Sequence, residues 1–241
     1  MLRSIKQLYG NKLGASDGEI GHVKDFYFDD QNWAIRYLVA DTGSWLPGRQ
    51  VLLSPYSLGR LDQIEKVLRV NLTREQIEHS PSIDLHKPVS RQYEEDYFRY
   101  FGWPYYWQGD ALWGLSGFPI LELSPQPLPN PPAPVVGRQP PPADAHLRSA
   151  KSVTGYHLQA TDGIIGHVAD FMVDAGSWAI GQLVIKTGHR LSGPDILLAT
   201  KNVTRISYDD STVFVNLTKA AVEQSPASQP ALAETASDSI R

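Results

Sequence analysis

Two histidine–aspartate pairs are the residues best placed to do chemistry. His22 stands three positions before Asp25, and His167 stands three before Asp170. An imidazole that changes charge near neutrality beside a carboxylate could hold a metal ion or move a proton. A strand puts residues i and i+2 on one face, so a spacing of three unites the two side chains only where the strand is irregular. Two ligands per pair also fall short of the usual metal complement. The expectation is therefore structural: each pair satisfies backbone groups near an irregularity, and no catalytic residue, metal or cofactor is expected.

Other chemistry is poorly served. Asp17, Asp29, Asp30, Asp162 and Asp174 sit at turns, where short carboxylates bind local N–H groups, and no EF-hand loop follows them. Serine, histidine and aspartate are present without a nucleophile elbow, a phosphate-binding loop or a zinc-protease motif around them. Cysteine is absent, which removes thiolate nucleophiles, disulfides and Cys-based metal centres. A net charge of -4 with no basic run lacks the footprint of nucleic-acid binding. No uninterrupted apolar run approaches the length of a membrane span, and Met1–Gly10 lacks the apolar core of a signal peptide. These features point to a cytoplasmic chain that is not an enzyme.

The elements that must position these residues occur twice. At an offset of 145 residues, without a gap, Asp17-Gly18 matches Asp162-Gly163, Gly21-His22-Val23 matches Gly166-His167-Val168, and Asp25-Phe26 matches Asp170-Phe171. The match continues through Trp33-Ala34-Ile35 with Trp178-Ala179-Ile180, Leu52-Leu53 with Leu197-Leu198, and Val70-Asn71-Leu72-Thr73 with Val215-Asn216-Leu217-Thr218. A period this long means duplication of a whole domain, each copy expected to fold on its own.

Within a copy, Ser16-Asp17-Gly18 supplies a turn, and Glu19 to Asp29 reads as a strand answered by an antiparallel one from Trp33 to Asp41. The period of two slips between Val23 and Phe26, and again between Val168 and Phe171, which predicts a β-bulge near Asp25 and near Asp170. Val51-Leu52-Leu53 and Val67 to Leu72 read as two further strands, with Leu58 to Ile64 between them. Thr73 with Gln76 forms a capping box for a short helix over Arg74–His79; in the second copy Ala221 replaces the box glutamine. Val23, Phe26, Val39, Val168, Phe171 and Val184 are the predicted core.

The block Asp17-Gly18-Glu19-Ile20-Gly21-His22-Val23-Lys24-Asp25-Phe26, with Asp29 and the run Ile35 to Asp41, resembles the PRC-barrel family over residues 4–81, and its repeat does so over 149–226. The tandem arrangement looks like that of two-module bacterial PRC-barrel proteins. The resemblance implies two small PRC-type β-barrels, each closed by a short helix, in a mainly β chain. It also implies docking, as in the cytoplasmic part of the photosynthetic reaction-centre H subunit and in a ribosome-maturation factor. Neither of those specific roles is carried over.

The implied organisation is a first module over 1–84, an aromatic-rich extension over 85–123, a proline-rich linker over 124–146, a second module over 147–226, and a disordered tail over 227–241. In the extension, Tyr97, Phe98, Tyr100, Phe101, Trp103, Tyr105, Tyr106, Trp107 and Trp113 crowd together without an equivalent in the second copy. Trp103, Tyr105, Tyr106 and Trp107 are candidates for an interaction surface, because aromatic rings give large contact area with few rotors. The competing reading buries these rings over a barrel of the same chain. The functional expectation is an adaptor with a protein partner. The alternatives are a small-ligand or metal sensor using His22, Asp25, His167 and Asp170, or peripheral association with a photosynthetic or electron-transfer complex. A homo-oligomer is compatible with all three.

Overall fold

In the computed structural model the described residues are 1–47, 49–81, 89, 91–121, 147–187 and 195–227. The expected linker and all but the first residue of the expected tail lie outside them. Strand dominates. The first copy contains β1 (Leu2–Ser4), β2 (Lys12–Ala15), β3 (Gly18–Asp29), β4 (Ala34–Asp41), β5 (Gln50–Leu53), β6 (Leu58–Asp62), β7 (Val67–Val70) and α1 (Arg74–Glu78), followed by α2 (Arg91–Phe101). The second contains β8 (Leu147–Ser149), α3 (Ala150–Val153), β9 (His157–Ala160), β10 (Gly163–Asp174), β11 (Ile180–Thr187), β12 (Asp195–Ala199), β13 (Val203–Ser207), β14 (Thr212–Val215) and α4 (Lys219–Glu223).

Two sheets of seven strands result, with one plan. The first runs β5-β4-β3-β2-β7-β6 and the second β12-β11-β10-β9-β14-β13. Both paths are open: no ladder among the described residues joins their end strands, so the expected closure into barrels is not displayed by strand pairing. Each path gains one short strand, β8 on β3 and β1 on β10. The chain divides into two compact units, Met1–Val153 with Phe171–Gly181, and Thr154–Asp170 with Gln182–Arg241.

Small repeated devices explain why the same frame forms twice. Asp17 accepts the Arg74 N–H at 2.8 Å, and Asp162 accepts the Lys219 N–H at 2.8 Å. These turn carboxylates therefore cap a helix 57 residues away rather than a local loop. Gly21 and Gly166 mark places where two backbones nearly touch: a Cβ would lie 1.9 Å from the Asp41 carbonyl oxygen in one case and 2.2 Å from that of Lys186 in the other. Gly21 also holds φ +119°, which disfavours any side chain. Trp33 and Trp178 share a left-handed conformation at φ 51° and 58°.

The β3–β4 register steps from Val23 opposite Ala40 to Asp25 opposite Val39, which makes Lys24 the extra residue of the predicted bulge. A second irregularity, unforeseen in the sequence, separates Leu13 from Gly14 opposite Gly21 and Glu19, and its counterpart separates Ile164 from Gly166. The capping box is complete: Gln76 N–H donates to Thr73 Oγ1 and Thr73 N–H to Gln76 Oε1. Thr218 caps α4 through the Ala221 N–H alone. All six predicted core residues are buried.

Candidate functional site

The richest chemistry lies where α2 and the following residues cover β4 in the first unit. Arg91–Phe101 places Glu94, Tyr97, Phe98 and Phe101 at helical spacing on one face, and Glu94, Tyr97 and Phe98 have no exposed surface. A fully buried carboxylate requires partners. Tyr37 and Tyr106 both donate to Glu94 Oε1, at 2.8 and 2.7 Å, and Arg91 Nη1 lies 3.2 Å from Oε2. Burial, then the Glu94 charge, pushes the Tyr37 and Tyr106 hydroxyls well above the ordinary phenol range. They stay neutral and act as donors.

Tyr97 ties the helix to the sheet directly. Its hydroxyl accepts from the Ser54 N–H at 3.1 Å and donates to the Leu52 carbonyl at 2.9 Å. Around it the rings interlock: Tyr97 meets Tyr37 edge-on at 5.6 Å, Phe98 meets Trp103 at 6.2 Å, and Phe101 stacks on Trp103 at 4.4 Å. Tyr56 packs edge-on against Trp113 at 5.3 Å, and burial raises its hydroxyl to about 12, with the Arg36 charge opposing that rise.

Arg36 is the least expected member. The β3–β4 register jumps from Tyr27 opposite Tyr37 to Phe28 opposite Ile35, so Arg36 is an extra residue on β4. Its side chain, 1% exposed, pairs with the equally buried Asp29 at 3.3 Å and donates to the Leu112 carbonyl at 2.7 Å. The guanidinium also lies 3.9 Å from the centre of the Tyr106 ring and 5.0 Å from that of Trp113. Burial would raise the Asp29 carboxyl, but the Asn32 amide and backbone N–H, with Arg36 and the Gln31 N–H, hold it below its ordinary value. Asp29, Arg36, Arg91, Tyr106, Trp107 and Leu112 contribute to the wall of a cavity of about 440 Å³. The Arg36 Nε–H has no hydrogen-bond partner among the described residues.

The sequence-derived candidates are distributed differently. Trp103 and Tyr106 are buried in the aromatic layer and are core residues of the first unit, not an exposed surface; Tyr105 and Trp107 are half-buried and stack at 4.8 Å. His22 is exposed, while His167 and Asp170 are half-buried. Asp25 is occupied by Ser149 Oγ at 2.5 Å, the Lys151 N–H at 3.1 Å and the Phe26 N–H at 2.7 Å. Burial raises its carboxyl despite these bonds. No group of three or more His, Cys, Asp or Glu suited to a metal occurs among the described residues. Arg36 and Glu94 were missed. The available signal was the mismatch between copies, for Gly181 and Gln182 stand where the first copy has Arg36 and Tyr37.

Among the described residues no helix is long and apolar enough to cross a membrane. Comparison with curated proteins finds no match. Residues 4–77 match the family model described as PRC-barrel domain. That segment runs from the last residue of β1 through β7 into α1, and over these residues the chain is similar to PRC-barrel domains.

Proposed function

We propose that this chain is a non-catalytic tandem PRC-barrel adaptor, in which both copies are barrel modules and a protein partner docks on the extension of the first. The observation that carries the reading is an apolar run just past the aromatic layer. Leu115, Phe118, Ile120 and Leu121 are 95%, 50%, 60% and 42% exposed within seven residues. Contiguous exposed apolar surface of this kind marks interaction sites. The titratable groups nearby support a non-catalytic role, because Glu94 and Asp29 are engaged in holding the layer to the sheet. The test is capture from native lysate with the full chain beside L115S/F118S/I120S/L121S. A protein retained by the first and lost by the variant, with both folded by circular dichroism, supports docking at this run. Equal retention by both baits places docking elsewhere.

A small-ligand sensor is the second reading, favoured by the cavity beside Arg36 rather than by the histidines. Inorganic phosphate and malonate are the probes, because each offers acceptor oxygens to Arg36 and Arg91. A saturable rise in Tm with either, lost in Arg91→Gln, supports it; no shift with either removes it.

A further inference from the structure

The offset of 145 residues also relates Leu2-Arg3-Ser4 to Leu147-Arg148-Ser149, and Asp30 to Ala175. The two short strands keep that relation in space. β8 sets Arg148 opposite Phe28, and β1 sets Arg3 opposite Val173, the counterpart of Phe28. What meets the two guanidinium groups differs. The Arg148 Nε–H donates to Asp30 at 2.5 Å, with both side chains mostly buried. At Arg3 the equivalent of that carboxylate is the methyl group of Ala175, and the Arg3 Nε–H is buried with no hydrogen-bond partner among the described residues. A buried charged donor without an acceptor is costly, so this arginine lacks a partner that its twin has.

A cavity lies at the same place. Arg3 and Ala175 share the wall of a space of about 270 Å³ within the first unit, together with Arg60 and the buried side chains of Leu8, Leu68 and Trp178. No aspartate or glutamate lines it, and neither arginine forms an ion pair among the described residues. The cavity beside Arg36 differs in this respect, because Asp29 already balances its arginine. Two uncompensated cations beside an apolar wall suit an anion with an apolar body. A planar carboxylate matches the guanidinium fork, and a space of ~150 Å³ already holds a benzene ring.

We propose that this cavity binds a small aromatic monocarboxylate. The carboxylate stands beside Arg3 as Asp30 stands beside Arg148, and the ring lies against Leu8, Leu68 and Trp178. Burial of the ring supplies affinity, and Arg3 selects for the anion. Arg60, which is exposed, adds to the field that draws a negative ligand in.

Benzoate is the probe, titrated calorimetrically into the full chain near neutral pH, where it is ionised. Saturable binding at a single site is expected, weakened about tenfold or more in Arg3→Gln. Acetate and benzyl alcohol should each bind about tenfold or more weakly than benzoate, since one lacks the ring and the other the charge. Ala175→Asp installs the carboxylate that the chain carries at position 30, so it should abolish benzoate binding and raise the Tm of the free chain. This second variant keeps the test decisive should Arg3→Gln fail to fold by circular dichroism. No saturable binding of benzoate overturns the proposal. So does binding that survives Ala175→Asp unchanged, or acetate binding as tightly as benzoate. Benzoate binding lost in Arg91→Gln but kept in Arg3→Gln would place the ligand in the cavity beside Arg36 and overturn the assignment to Arg3.

Discussion

The two copies share a frame and differ in what covers it. β4 in the first copy is buried at seven of eight positions, whereas its counterpart β11 is buried at four of eight. Arg36 and Tyr37 in the first become Gly181 and Gln182 in the second. The extra burial comes from α2 and the rings after it, and it brings in Glu94, Tyr97 and Tyr106, which have no counterparts. One sheet can therefore carry a second layer when its outer face offers a cation and a phenol for that layer to bind. The buried charges here join two layers.

The largest effect on the first copy alone is expected of Arg36→Ala. It strands the Asp29 carboxylate in the interior, and breaking a buried ion pair costs about 3–5 kcal/mol. All six tryptophans, Trp33, Trp45, Trp103, Trp107, Trp113 and Trp178, lie in the first unit, so denaturant unfolding followed by tryptophan fluorescence reports that unit. The midpoint should fall steeply there, while the far-UV signal retains a later phase from the second unit. Raising the pH attacks the same layer. A tyrosine whose hydroxyl is raised in the folded state supports the fold below its unfolded value near 10 and loses that support as pH climbs through the folded value, about 12 for Tyr56. The second unit has no buried tyrosine among its described residues. Alkaline titration should therefore quench the tryptophan signal of the first unit before the second unit loses its far-UV signal.

Three substitutions should have smaller effects. Gly21→Ala and Gly166→Ala should each cost about 2–3 kcal/mol because both frames bring a carbonyl against the glycine, with Gly21 the costlier since it also holds a positive φ. A larger cost at Gly166 would show that the frames are less alike than their strand order. Tyr97→Phe, which leaves the Ser54 N–H and the Leu52 carbonyl without their partner, should cost roughly 1–3 kcal/mol in the first unit alone. Last, Gln76→Ala should lose about 0.5 kcal/mol, and Ala221→Gln should gain a similar amount by completing the second box.

The frame was legible because its determinants are local and repeated. Thr73 and Gln76 are three residues apart, and the slip from Val23 to Phe26 shows itself in one strand. The Arg36 bulge was hidden because it lies on the opposing strand, within an apolar run that reads as continuous. Arg36 and Glu94 explain each other only through a layer that sequence spacing does not fold. The aromatic segment admitted two readings in sequence, and the geometry puts Trp103 and Tyr106 inside the unit. β1 and β8 escaped notice because three residues carry too little periodicity, and their partners lie more than 100 positions away. Asp17 and Asp162 were recognised as turn residues, yet their reach to α1 and α4 required the fold.

Hydrogen–deuterium exchange over the extension separates a structural layer, formed by the aromatic segment, from the free surface of the run after it. Amides of Arg91–Trp107 should exchange as slowly as those of β3 and β4, through unfolding of the first unit, while Leu115–Leu121 exchanges orders of magnitude faster. Fast exchange across Arg91–Trp107 in the free protein would contradict the account and return Trp103, Tyr105, Tyr106 and Trp107 to the surface as the docking site.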